Sequence, residues 1–109
     1  MVSFEKFKEL ELKIGKVTEA ELIEGSDKLL KLKVDFGEPD LPAGRQVLAG
    51  IGKVYSPEEM IGREIVVVAN LEPRMLMGLE SQGMLLAASD GGPVLLKPDR
   101  EVPPGSSVS

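Results

Sequence analysis

The chain has no histidine and no cysteine, so imidazole base catalysis, thiolate nucleophiles, disulfides and the usual zinc sites are closed to it. Acids such as Asp35, Glu38 and Asp40 are the remaining material for a hydrolase, but nothing around them supplies the matched acid and base roles that hydrolysis needs. Binding chemistry is better provided for. Lys28, Lys31 and Lys33 fall between Lys28 and Val34 with no acid among them. That is a local positive patch able to meet phosphate, and it reads equally as an ordinary solvated strand face. A second concentration of unusual residues is Ala69 to Ala88, ANLEPRMLMGLESQGMLLAA. Arg74 follows Pro73 there, in what reads as a rigid exposed turn. Its guanidinium offers a flat, forked donor set that can bridge phosphate oxygens or stack on a base. Met75, Met77 and Met84 lie in the same stretch. Methionine more often fills core gaps, and periodicity favours the core for Met75 and Met77. Met84, beside Leu85 and Leu86, is open to core packing and to ligand contact alike.

These residues need a frame, and hydrophobic alternation supplies one. Leu30, Leu32, Val34 and Phe36 point one way while Lys31, Lys33 and Asp35 point the other, the pattern of a half-buried strand. Upstream, Leu12, Ile14 and Val17 read as a strand whose phase slips near Gly15, which predicts a bulge there. Gly25, Ser26 and Asp27 form a turn into the strand that starts at Lys28. Gln46 to Ile51, Glu64 to Asn70, Gly83 to Ala88 and Pro93 to Lys97 add four short strands, set apart by proline, glycine and asparagine. Between them, Asn70 to Gln82 is expected as a polar loop. Glu38 to Arg45, with Pro39, Pro42 and Gly44, is expected as an extended hairpin loop. Ser56 as N-cap, Pro57 at the first helical position and Glu59 three residues after the cap make a capping box. Ser3 can cap a turn or two through Phe4 and Phe7. Many short strands, with a helix between the third and fourth, predict an all-β fold. That pattern suits a barrel or a sandwich, and by analogy of fold the position of the helix, with only short helices present, fits a five-stranded barrel of the OB type.

Length and composition agree with one domain spanning residues 1–109. A hydrophobic fraction of 42% and a charged fraction of 28% are those of a globular protein. The longest apolar runs, Ile65 to Ala69 and Met84 to Ala88, are strand-length, far short of the roughly 20 residues of a transmembrane helix. The amino terminus carries Glu and Lys where a signal peptide would be apolar, so a cytoplasmic location is expected. A net charge of −5 argues against coating nucleic acid through bulk positive charge, so RNA binding would rest on local placement. With no tryptophan, one tyrosine and three phenylalanines, a stacking platform for unstructured strands is not expected, and structured RNA is favoured.

The chain resembles the tRNA-binding domain family, found alone and appended to methionyl-tRNA synthetases. The matching stretches are ELKIGKV (Glu11 to Val17), GSDKLLKLKVD (Gly25 to Asp35), AGIGKVYSPEEMIG (Ala49 to Gly62), ANLEPRMLMGLESQGMLLAASDG (Ala69 to Gly91) and the terminal LLKPDREVPPG. The resemblance implies a non-catalytic, cofactor-free OB-fold domain. It would bind the outer corner of folded tRNA, form a homodimer through its carboxyl-terminal extension and assist an aminoacyl-tRNA synthetase. Carried to matching positions, the implied tRNA contacts are Asn70, Arg74, Ser81 and Met84, together with Lys28, Lys31, Lys33 and Lys53. Ser81 would donate to a phosphate or a ribose hydroxyl, and Met84 would pack on a base or sugar. The alternative is a chaperone-like, peptide-binding dimer, as in related OB-fold proteins, with the methionine-rich loop taking variable apolar partners.

Overall fold

A computed structural model describes residues 1–109. Five antiparallel strands form its frame: β1 (Leu12–Leu22), β2 (Leu30–Asp35), β3 (Arg45–Ala49), β4 (Glu64–Val68) and, further along the chain, β7 (Met84–Leu85), in the spatial order β3-β2-β1-β4-β7. The sheet curls until its ends meet, because Gln82 N–H donates to the Gln46 carbonyl (2.8 Å) and Gln46 N–H to Gln82 Oε1 (2.9 Å). This is a nearly closed five-stranded barrel, the expected all-β fold of the OB kind.

The inward positions are those the period of two selects: Leu30, Leu32 and Val34 of β2, Val47 and Ala49 of β3, and Ile65 and Val67 of β4 share one core with Val17 and Phe36. A short helix after β3, α2 (Pro57–Met60; α1 is Phe4–Lys8 near the amino terminus), carries the predicted capping box. It seals one end of the barrel by burying Met60 completely. The bulge sits later than expected. Register slips between Val17 and Glu19, not at Gly15, and β1 continues to Leu22. Gly15 answers a different demand, since a Cβ there would lie 2.7 Å from the Phe36 ring. The missing side chain therefore lets β2 and Phe36 close over β1.

The predicted strand at Gly83 to Ala88 splits into β7 and β8 (Ala87–Ser89), and β8 pairs with β9 (Pro93–Leu95) as a separate hairpin. Leu95 N–H donates to the Tyr55 hydroxyl (3.0 Å) and Val102 N–H to Glu64 Oε1 (2.9 Å), which ties the extension to the barrel. Its last strand, β10 (Ser107–Val108), pairs with the start of β1, Leu12 opposite Val108. No helix of the structure is long and apolar enough to cross a membrane.

Candidate nucleic-acid interface

The Asn70–Gln82 segment is not the open loop expected of it. Within it β5 (Arg74–Leu76) and β6 (Leu79–Ser81) pair as a tight hairpin, closed by Met77 (φ 52°) and Gly78 (φ 78°). Two successive positive-φ residues are what a type I′ turn needs, and its twist matches that of the flanking strands. The signal was present as two residues ending in glycine between an apolar pair, Leu76 and Leu79, but methionine is a poor guide to such a turn.

The hairpin lies along the free edge of β3 and laps over the outward side chain of Leu48. Ser81 Oγ accepts from Leu48 N–H (3.0 Å) and donates to the Gly83 carbonyl (2.9 Å), while Gln46 Nε2 donates to the Glu80 carbonyl (2.8 Å). Leu48 points outward from the barrel yet is buried. It lies in a small apolar seam with Leu71, Leu76 and Met84, and Arg74 lines the same seam. At the hairpin tip the Met77 thioether methyl reaches the β1–β2 turn, where a Cβ on Gly25 would lie 3.4 Å from it. The hairpin thus lies between β3 and the turn that precedes Lys28.

Arg45, the first residue of β3, holds the base of this segment. Its Nε and Nη2 grip the two Glu38 carboxylate oxygens (2.8 and 2.7 Å). Its Nη1 donates to the carbonyls of Ala69 (2.6 Å) and Gln82 (3.3 Å), and its guanidinium stands 5.4 Å from the centre of the Phe36 ring. The hydrogen bonds from Arg45 hold the Glu38 carboxyl below its ordinary range against the opposing effect of partial burial, and those to Glu38 raise the guanidinium. The Glu38–Arg45 loop therefore folds back on itself through its two ends.

The eight residues singled out in the sequence fare differently. Arg74 is exposed, with no carboxylate within ion-pair range, and Lys28 and Lys33 are likewise unpaired. Lys31 is paired with Glu21 and Lys53 with Asp27 (3.3 Å). The acid-free patch read along the chain is thus offset in space, because β1 sets Glu19 and Glu21 opposite Lys33 and Lys31. Met84 is 42% exposed at the edge of the Leu48 seam. Ser81 is 5% exposed, and its hydroxyl, accepting from Leu48 N–H and donating to the Gly83 carbonyl, seats the hairpin. Asn70 is exposed, but its amide is occupied by the amino-terminal segment, accepting from Glu11 N–H (2.8 Å) and donating to the Glu9 carbonyl (2.6 Å).

Met75 and Met77 overturn the core reading outright. They are 66% and 55% exposed, because strand pairing within the hairpin turns them away from the barrel. The residues that sequence reasoning missed are those that shape the site, namely Arg45, Gln46 and Gln82. Their partners are up to 37 positions away, and no local pattern marks them. No cluster of three or more acids is placed to hold a metal ion.

The family model "Putative tRNA binding domain" matches residues 12–107. The methionine–tRNA ligase of Methanothrix thermoacetophila is 57% identical over 109 residues, covering 99% of this chain and 16% of the ligase. That of Pyrococcus furiosus is 51% identical over 108 residues, covering 98% of the chain and 14% of the ligase. The chain therefore spans about a sixth of the length of these curated relatives. Among solved structures, a MetRS-related protein from Pyrococcus horikoshii superposes with a TM-score of 0.89 at 38% identity, over 100% of this chain and 98% of that one. The chaperone CsaA of Bacillus anthracis superposes at 0.86 and 39% identity, over 100% and 99%. A family match over nearly all of the chain, on a barrel that carries the family's motif as a seated hairpin, places this chain in the tRNA-binding domain family, a family of non-catalytic binding modules.

Proposed function

We propose that residues 1–109 act as one unit that binds folded tRNA in the cytoplasm, works as a homodimer and assists an aminoacyl-tRNA synthetase. The observation that carries this reading is the exposed, unpaired Arg74 on a hairpin seated against β3. Leu48, which packs beside Arg74, is the cross-strand partner of Lys31. A forked cation, lysines on the neighbouring strand and the soft side chains of Met75, Met77 and Met84 suit a phosphate backbone with an exposed base or sugar edge.

Support for the dimer comes from apolar surface that the barrel leaves uncovered. Val94 and Leu96 are exposed, and Val102 and Val108, both half-buried, line a groove of about 330 Å³ along the extension, with Lys97, Ser106 and Ser107 beside them. A second copy covering it would also double the cations offered to one RNA.

A titration of total tRNA in a filter-binding assay at two salt concentrations tests the reading, with Arg74→Lys beside the parent. Binding that weakens with salt, and a clear loss of affinity for Arg74→Lys, are expected because lysine keeps the charge and lacks the fork. Equal affinity for an unfolded RNA of the same length counts against recognition of shape. Sedimentation equilibrium showing a stable monomer at micromolar concentration removes the homodimer.

The similarity to the CsaA structure and the three exposed methionines favour a second reading, the binding of apolar peptides. Peptide affinity that barely changes with salt, without tRNA binding, would select it.

A further inference from the structure

We propose that Arg45 is a positioning residue for RNA binding: it gathers both ends of the Asn70–Gln82 segment onto one guanidinium and so fixes where Arg74 stands. The proposal rests on the reading that Arg74 contacts RNA. Ala69 follows β4 directly and Gln82 leads into β7, so the two carbonyls on Arg45 Nη1 bracket the segment that carries the hairpin. Glu38 takes the Nε and Nη2 edge with both carboxylate oxygens, which orients the fork so that Nη1 faces those carbonyls. The ring of Phe36 backs the guanidinium, and Phe36 itself belongs to the barrel core. Four of the five guanidinium N–H donors are thereby used. Little is left for a phosphate, so Arg45 acts through the segment it holds.

Lysine cannot replace it. A single ammonium has no planar fork with which to satisfy a carboxylate edge and two carbonyls together. Without the clamp the Gln82 end is held by Ser81, Gln46 and Gln82 on the β3 side, and the Ala69 end by the amino-terminal segment, through Ala69 N–H to the Glu11 carbonyl and the Asn70 amide to Glu9 and Glu11. The two ends are then held on separate elements and no longer tied to each other, and the cost of ordering Arg74 between them falls on the binding step.

A double-mutant cycle tests this, using Arg45→Lys and Arg74→Ala singly and together, with tRNA affinity and melting temperature measured on each variant. Arg45→Lys is expected to weaken tRNA binding about tenfold at a temperature where it is fully folded. Arg74→Ala is expected to cost about tenfold in the parent but less than about twofold in the Arg45→Lys background, because the arginine is no longer placed there. A merely structural Arg45 lowers the melting temperature and leaves the effect of Arg74→Ala intact. Multiplying effects, or Arg45→Lys binding like the parent, would overturn the proposal. If Arg74→Ala has no effect in the parent, the reading of Arg74 as a contact fails first, and that is seen without Arg45. Should Arg45→Lys not fold, the same cycle is run with Glu38→Gln, which removes the carboxylate that orients the fork while leaving Arg45 in place.

Discussion

At the scale of single residues, the burial of a polar atom decides its role. Ser81 stands within the family motif and reads as an RNA contact, yet its hydroxyl satisfies a buried Leu48 N–H and a Gly83 carbonyl. Ser81→Ala leaves that N–H without a partner, so it should cost about 1–3 kcal/mol of stability in a denaturant titration. Any loss of RNA affinity should follow from the displaced hairpin. The methionines divide in the same way. Met60 is wholly buried and Met84 is 42% exposed, so Met60→Ala should cost about 2–5 kcal/mol while Met84→Ala costs about 1 kcal/mol or less. If Met84 contacts RNA, its variant lowers tRNA affinity with the melting temperature nearly unchanged. A deep loss of stability at Met84 would instead give it to the seam beneath the hairpin.

At the scale of elements, the hairpin and the loop beside it each carry a testable liability. Met77 is the one non-glycine residue of the chain at positive φ, a conformation that costs an L-residue with a Cβ about 1–2 kcal/mol. Asparagine tolerates it and is favoured before glycine in this turn, so Met77→Asn should raise stability by about 1 kcal/mol. The melting temperature would then rise by several degrees. A fall would mean that the Met77 contact at Gly25 outweighs the backbone strain. The Glu38–Arg45 pair makes the loop sensitive to acid. The Glu38 carboxyl lies below its ordinary value of 4.5, chiefly because Arg45 hydrogen-bonds to its charged form. A carboxyl depressed in the fold adds stability that is fully present above its unfolded pKa and is lost as pH falls through the folded one. The pair should therefore weaken as pH drops below about 4.5. Melting curves of the parent should fall more steeply across that range than those of Glu38→Gln, which has no charge to lose. Parallel curves would contradict the assignment.

For the whole molecule, the arrangement of charge matters more than its sum. The chain carries −5, and Lys13, Lys16, Lys31, Lys53 and Arg45 are all engaged by carboxylates. Only a few cations near the hairpin are left free, so the salt dependence of tRNA binding should be moderate. About three to six phosphate contacts per dimer are expected, a log–log slope of roughly −3 to −5. A slope near zero would point to apolar binding, and one much steeper would require a basic surface that this barrel does not present.

The sequence by itself determined the barrel. Period-two alternation in β2, a capping box ahead of Met60 and punctuation between short strands are local features, and they act through rules that reach only a few residues. The family motif likewise located the segment that carries Arg74. Only the tertiary structure decided what that segment is. A turn closed by Met77 and Gly78 concealed the hairpin, and pairing within it turned Met75 and Met77 outward. The free edge of β3 covered Ser81, and β1 brought Glu21 to Lys31 from ten positions upstream. Arg45 reaches Ala69 and Gln82 across 24 and 37 positions. Its role depends on where a closing barrel brings those carbonyls, and periodicity, which sees only neighbours, carries no trace of it.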